Sequence, residues 1–221
     1  MGRVPGFRSG SASALEKVLR AGCVFMQGAS GDLSPNAGRH GGPRCYGEKL
    51  AEEAIALARA IRPRAPERPE IRARTERFVF GARVDFGNPM VISMYGLAFF
   101  PELVRNFGLE FKHGIPAELT TVVLNRELAI VAGSGEFFCN HANRLRWRAY
   151  DIPVLFFGYC NGHSLYFPTI EAVSEGGYGA DKRVAPSEVG AGERMMDHAL
   201  IAIYEMLGKI KKGPRRHARR R

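Results

Sequence analysis

The chain has 221 residues, 45% hydrophobic and 24% charged, which suits one soluble domain with a sizeable core. Its formal charge of +10 is concentrated: Gly208 to Arg221 carries eight Lys and Arg and no acid, leaving +2 for everything before it. No apolar run approaches the ~18 residues that span a bilayer, no apolar core follows the first residues as in a secretory signal, and the four cysteines lack metal-knuckle spacing.

Ser13 and Glu16 form a capping box, and Leu15, Val18 and Leu19 give a short helix its apolar side. Cys23 to Gln27 is a short apolar run of the kind that makes a buried strand, ending at Gly28. Cys23 and Cys160 both sit in apolar runs and read as buried thiols. Next comes Gly31-Asp32-Leu33-Ser34-Pro35-Asn36. Gly31 frees the backbone, Pro35 forces Ser34 extended, and Asp32 and Asn36 can bond the loop's own N–H groups. These residues predict a stiff polar loop that presents one hydroxyl, Ser34. Composition alone fits an ordinary strand-to-helix turn as well.

Gly38 to Gly47 reads as a surface loop, and Glu48 to Ile61 as a helix with Leu50, Ala54, Leu57, Ala58 and Ile61 on one face. Arg62 to Arg74 is rich in Pro and Arg and reads as a linker. Phe78, Phe80, Ala82, Val84 and Phe86 alternate as in a half-buried strand. Residues 89–115 show no clean period and are left unassigned. Leu119–Leu124 and Leu128–Ala132 pair across an Asn125-Arg126 turn, then come a helix near Phe138–Arg148 and a buried strand, Val154–Tyr159. A last amphipathic helix runs from about Gly192 to Ile210, burying Met196, Ala199, Leu200, Ile203 and Leu207. Strands alternating with helices give an α/β or mixed α+β layered domain over residues 1–207, with residues 208–221 as a basic disordered tail.

Two strand exits carry chemistry. Glu136 follows two glycines in Gly133-Ser134-Gly135-Glu136-Phe137, where a carboxylate can hold a cation or simply favour the next helix N-terminus. Gly158-Tyr159-Cys160-Asn161-Gly162-His163-Ser164-Leu165-Tyr166 forms the second exit, and Tyr178 lies twelve residues beyond Tyr166.

From about Pro5 to Leu207 the chain resembles the neutral/alkaline, non-lysosomal ceramidases. Its Gly31–Asn36 hexapeptide is similar to their Gly-Asp-Val-Ser-Pro-Asn signature, its 133–137 segment to their Pro-Gly-Glu-Phe motif, and its 158–166 segment to their Gly-x-x-Asn-x-x-x-x-Tyr block. The resemblance implies a zinc-dependent amidohydrolase that cleaves ceramide, or a related lipid amide, to fatty acid and sphingoid base. It assigns Ser34 as nucleophile, Glu136 and Tyr166 as Zn2+ ligands, and Tyr178 as the hydrogen-bond donor to the substrate carbonyl. Ser134 replaces the family's proline, which would loosen that turn. His40, His141 and His163 align with no family ligand. The family's two zinc histidines precede the serine motif, whereas no histidine precedes Gly31 here. The chain therefore resembles the C-terminal half of the catalytic domain, and a truncated gene, a misplaced start codon or a second chain would each account for the difference. Expected partners are a ceramide-like lipid amide and a membrane surface that gives access to it, with no specific nucleic acid. The alternatives are a non-catalytic remnant of the family and, from the tail, an anionic-surface or nucleic-acid binder.

Overall fold

The computed structural model describes residues 7–35, 41–97 and 99–211. The chain forms two compact units, one from residues 1–26 and 34–67, the other from residues 27–33 and 68–221.

In the first unit, α1 (Phe7–Leu19) pairs with α2 (Pro43–Ala60). Helix α2 begins five residues before the predicted Glu48, because Pro43 takes the first helical position behind Gly42. The predicted apolar face is largely bare, with Leu57 69% and Ile61 65% exposed. Two helices bury only the strip between them, and on α2 that strip is Gly47 and Ala51. Residues 23–27 are extended but form no strand, and Val24 is 81% exposed. Strand propensity without a ladder does not hold a strand. Cys23 is only half-buried.

In the second unit, β1 (Ile71–Phe80), β2 (Ile115–Leu124), β3 (Leu128–Gly133) and β5 (Val154–Phe157) form one sheet in the order β1-β2-β3-β5. The first three strands are antiparallel and β3–β5 is parallel. The β2–β3 hairpin turns where predicted, with Asn125 (φ 52) and Arg126 (φ 60) both left-handed, as a two-residue turn between twisted strands requires. Helix α7 (Ala191–Met206) covers one sheet face with α5 (Cys139–Arg148) beside it, and all five residues predicted for its buried face are buried.

Strand β1 includes Phe78 and Phe80 of the predicted strand but starts at Ile71, within residues read as linker, and stops before Ala82, which makes one isolated bridge to Ser187. Charged side chains hid its first half. Arg72 donates to Met206 O (2.6 Å), Arg74 pairs with Glu205, and Glu76 meets His198 Nδ1 at 3.0 Å, so these charges fasten the strand to α7. The unassigned residues hold α3 (Pro89–Gly96), capped by Asn88 Oδ1 on Met90 N, and α4 (Pro101–Glu110). Both start on proline. They pack Tyr95, Phe99 and Phe107 with Phe86 and Phe111 into an aromatic cluster. The short strands β4 (Glu136–Phe137) and β6 (Tyr166–Phe167) pair in parallel and carry the site, followed by α6 (Ile170–Glu175). The tail from Lys212 onward lies outside the described residues.

Candidate active site

The site is built on two strand exits brought into register. Strand β3 ends at Gly133, and two residues later the chain re-enters a ladder as β4, with Glu136 opposite Tyr166. Glu136 N–H donates to Leu165 O (2.9 Å) and Phe138 N–H to Phe167 O (3.1 Å). Glycines permit the approach: a Cβ on Gly135 would lie 2.7 Å from Leu165 O and from the Phe167 ring, and one on Gly133 would meet Phe137 at 2.5 Å. Ser134 does not loosen this turn. It is buried, its Oγ accepts from Glu118 N (2.8 Å), and its carbonyl accepts from Ser164 N (2.9 Å). A hydroxyl thus ties the turn to β2 where a proline could not.

The loop that delivers Tyr166 is held in unusual backbone conformations, with Tyr159 (φ 58), Asn161 (φ 59) and Leu165 (φ 62) left-handed. For a buried leucine this costs about 1–2 kcal/mol. What it yields here is the Leu165 carbonyl aimed at Glu136. Cys160 in this loop is half-buried rather than fully buried.

The Tyr166 side chain lies beside those of Glu136 and Tyr178, and the two phenol rings lie 5.7 Å apart, edge to face. Burial, then the Glu136 carboxylate and the Tyr178 hydroxyl, push the Tyr166 phenol well above its ordinary value. Tyr166 and Glu136 are half-buried, while Tyr178 is 81% exposed. Three of the four sequence-predicted residues therefore converge on one point.

The hexapeptide's first three residues belong to the same unit. A turn closes with Leu33 N–H on Ser30 O (3.0 Å), and Gly31 N–H donates to Phe137 O (2.9 Å). A Cβ on Gly31 would lie 2.9 Å from Glu136 O, so glycine is needed for the loop to lie against β4. Among the described residues, Asp32 reaches out of its own loop. Its carboxylate accepts from Cys139 N (2.6 Å) and Cys139 Sγ (3.2 Å), placing negative charge at the N-terminus of α5. Burial first, then Asp32, pushes the Cys139 thiol up. Ser34 follows directly, exposed, at the start of the other unit's second stretch. Asn36 and His40 lie outside the described residues. His141 is buried, its Nε2 facing Gly192, and desolvation lowers its pKa. His163 is exposed and stacks on Tyr159.

Sequence reading named no apolar groove, and the structure has one. A cavity of about 540 Å³ is walled by Val84, Val91, Met94, Tyr95, Leu97 and Phe99. A second, of about 660 Å³, shares Phe99 and Arg183 with it and is bordered by Tyr178. The alternation across α3 could have suggested this, but nothing in it pointed to Tyr178.

Glu136 and Tyr166 offer a divalent cation two oxygen donors, and a catalytic zinc takes three protein ligands. Among the described residues no group of three His, Cys, Asp or Glu side chains converges on a metal position.

No protein-family model and no curated protein matches the sequence. Solved structures do match the fold. The neutral ceramidase from Pseudomonas aeruginosa aligns with a TM-score of 0.63 and 15% identity, over 95% of this chain and 42% of that one. A ceramidase complexed with C2 aligns with a TM-score of 0.66 and 15% identity, over 95% and 43%. The chain has a neutral-ceramidase fold. It spans about two-fifths of the length of the ceramidases it matches. The layered mixture of helices and sheet agrees with that fold, and within this chain Phe99 and Arg183 join the apolar cavity to the one bordered by Tyr178.

Proposed function

We propose that this chain carries part of the catalytic centre of an amide hydrolase of neutral-ceramidase type, acting on a ceramide-like lipid amide to give a fatty acid and a sphingoid base. The observation that supports it best is the Glu136–Tyr166–Tyr178 cluster at the end of an apolar groove, on a ceramidase fold. Glu136 and Tyr166 would hold one side of a Zn2+ ion, with further ligands from outside the described residues. When bound, that ion supplies Lewis-acid polarisation.

The chain's own groups have separable tasks in this reading. Tyr178, exposed and flanked by the left-handed Gly177 and Gly179, offers a phenolic donor to negative charge developing on the amide oxygen. Glu136, opposite Tyr166 in the β4–β6 pair, sets a carboxylate beside its hydroxyl. Ser34 enters the proposal through its motif: it is an exposed hydroxyl, and by the resemblance to the family it would attack or assist at the carbonyl. The groove takes an aliphatic chain.

The test is hydrolysis of short- and long-acyl fluorescent ceramide analogues by the complete protein. Val91→Trp, which fills the groove, should depress turnover of the long analogue at least several-fold more than that of the short one. Equal effects would remove the groove from the substrate path. A non-catalytic remnant of the fold is the second reading, favoured by the two-donor metal position, and stoichiometric zinc in the purified chain would count against it.

A further inference from the structure

We propose that the end of the second unit where α5 and α7 terminate docks on an anionic lipid bilayer, with Trp147 as the inserted side chain. Trp147 is the chain's one tryptophan and is 80% exposed, and Tyr150 is 82% exposed. An indole in water leaves a large apolar surface uncovered, and the headgroup level of a bilayer is where such amphipathic rings are stabilised. Both rings line an open groove of about 760 Å³ together with Leu200, Tyr204 and Ile210. The end of α7 builds the far wall. Gly208 (φ 74) donates to Glu205 O (3.0 Å) and Lys209 N–H to Tyr204 O (2.8 Å), which turns the chain back and sets Lys209 and Ile210 beside the rings.

Charge selects the surface. Arg146, Arg148, Lys209 and Lys211 stand against Asp151 and Asp197, with Arg148 paired to Asp197 (2.5 Å) and Lys209 to Asp151. The sequence then continues through Lys212 to Arg221 with five further arginines and no acid. Cations beside anionic headgroups add attraction within a Debye length. Nucleic acid would also attract the cations and could stack on the rings, but it would leave the aliphatic wall at Leu200 and Ile210 in water, whereas acyl chains cover it. A lipid interface matches both halves of the patch.

The sole tryptophan makes the test direct and independent of any enzymatic activity. The 221-residue chain is mixed with phosphatidylcholine vesicles, with or without phosphatidylglycerol, and Trp147 emission is followed with and without acyl-brominated lipid. Insertion predicts a blue shift and bromine quenching on the anionic vesicles. In sedimentation, Trp147→Ala and Tyr150→Ala should each lower partitioning about tenfold, as withdrawing a large ring from an interface does. Both side chains are exposed, and unchanged far-UV circular dichroism confirms the fold. Deleting residues 212–221 should weaken binding while the blue shift persists. Binding without a blue shift, or Trp147→Ala partitioning like the parent, would overturn the proposal and leave the basic tail as the binder. A single-stranded oligonucleotide that shifts Trp147 emission and displaces the vesicles would overturn it in favour of nucleic acid.

Discussion

Gly135→Ala isolates the packing that brings Glu136 to Tyr166. The added Cβ would sit 2.7 Å from Leu165 O and 2.7–2.8 Å from two atoms of the Phe167 ring. Unstrained contacts lie nearer ~3.5 Å, so something must move by most of an ångström. Neither neighbour is free to do so. The Leu165 carbonyl belongs to a left-handed residue and already accepts from Glu136 N–H, and the Phe167 ring is fully buried, stacked on Phe137 at 4.6 Å. Overpacking of this kind costs about 1–3 kcal/mol, and weakening the buried hydrogen bond adds about 1 kcal/mol, for about 2–4 kcal/mol in all. At about 2–4 °C per kcal/mol for a body of this size, the unfolding midpoint should fall by roughly 5–15 °C. Thermal unfolding followed by circular dichroism reads this directly. A midpoint within about 1 °C of the parent would show that β4 and β6 separate at no cost, against the assumed rigidity of the pair.

Tyr178→Phe should leave zinc content and fold unchanged while lowering amide turnover of the complete protein by roughly 10²–10³, since its hydroxyl acts on charge present only in the transition state. Tyr166→Phe should instead lower zinc content, measured on the same preparations, because it removes a proposed ligand oxygen. Ser34→Ala should abolish most turnover without moving the unfolding midpoint, the hydroxyl being exposed; activity within a few-fold of the parent would make its loop structural. Asp32→Asn should speed alkylation of Cys139 in site-resolved mass spectrometry. Asp32 raises that thiol's pKa, so removing its charge lowers the pKa and enlarges the thiolate fraction at pH 8. An unchanged rate would break the Asp32–Cys139 link.

Periodicity revealed the second half of the chain well. Strands β2, β3 and β5 and helices α5 and α7 lie close to their predicted positions because their apolar residues are buried against one another, so pattern and packing agree. The first half of strand β1 was hidden because Arg72, Arg74 and Glu76 face a helix whose own polar atoms receive them, an arrangement no hydropathy pattern records, whereas Phe78 and Phe80 were read as strand. Helices α3 and α4 were hidden by their shortness and by aromatics that serve a cluster rather than a stripe. At the site, the resemblance to the ceramidase motifs picked out Glu136, Tyr166 and Tyr178, which lie side by side in space; the residues alone would have left both tyrosines as loop aromatics. It gave no sign of the long-range role of Asp32: Cys139 lies 107 positions away, and sequence offers no signal for a cap from that distance.

The two-residue pairing of β4 with β6 also has a kinetic side. The β2–β3 hairpin closes over a tight turn and can form within microseconds. Glu136 and Tyr166 meet only after α5 has folded, β5 has added parallel to β3, and the left-handed loop at 159–165 has been forced into place. Non-local parallel contacts of this kind repay their loop-closure entropy late. The carboxylate–phenol pair should therefore be among the last native contacts to appear on refolding and among the first lost on partial unfolding. Substitutions that weaken this late contact should then speed its loss while leaving the rate of forming the β2–β3 hairpin unchanged.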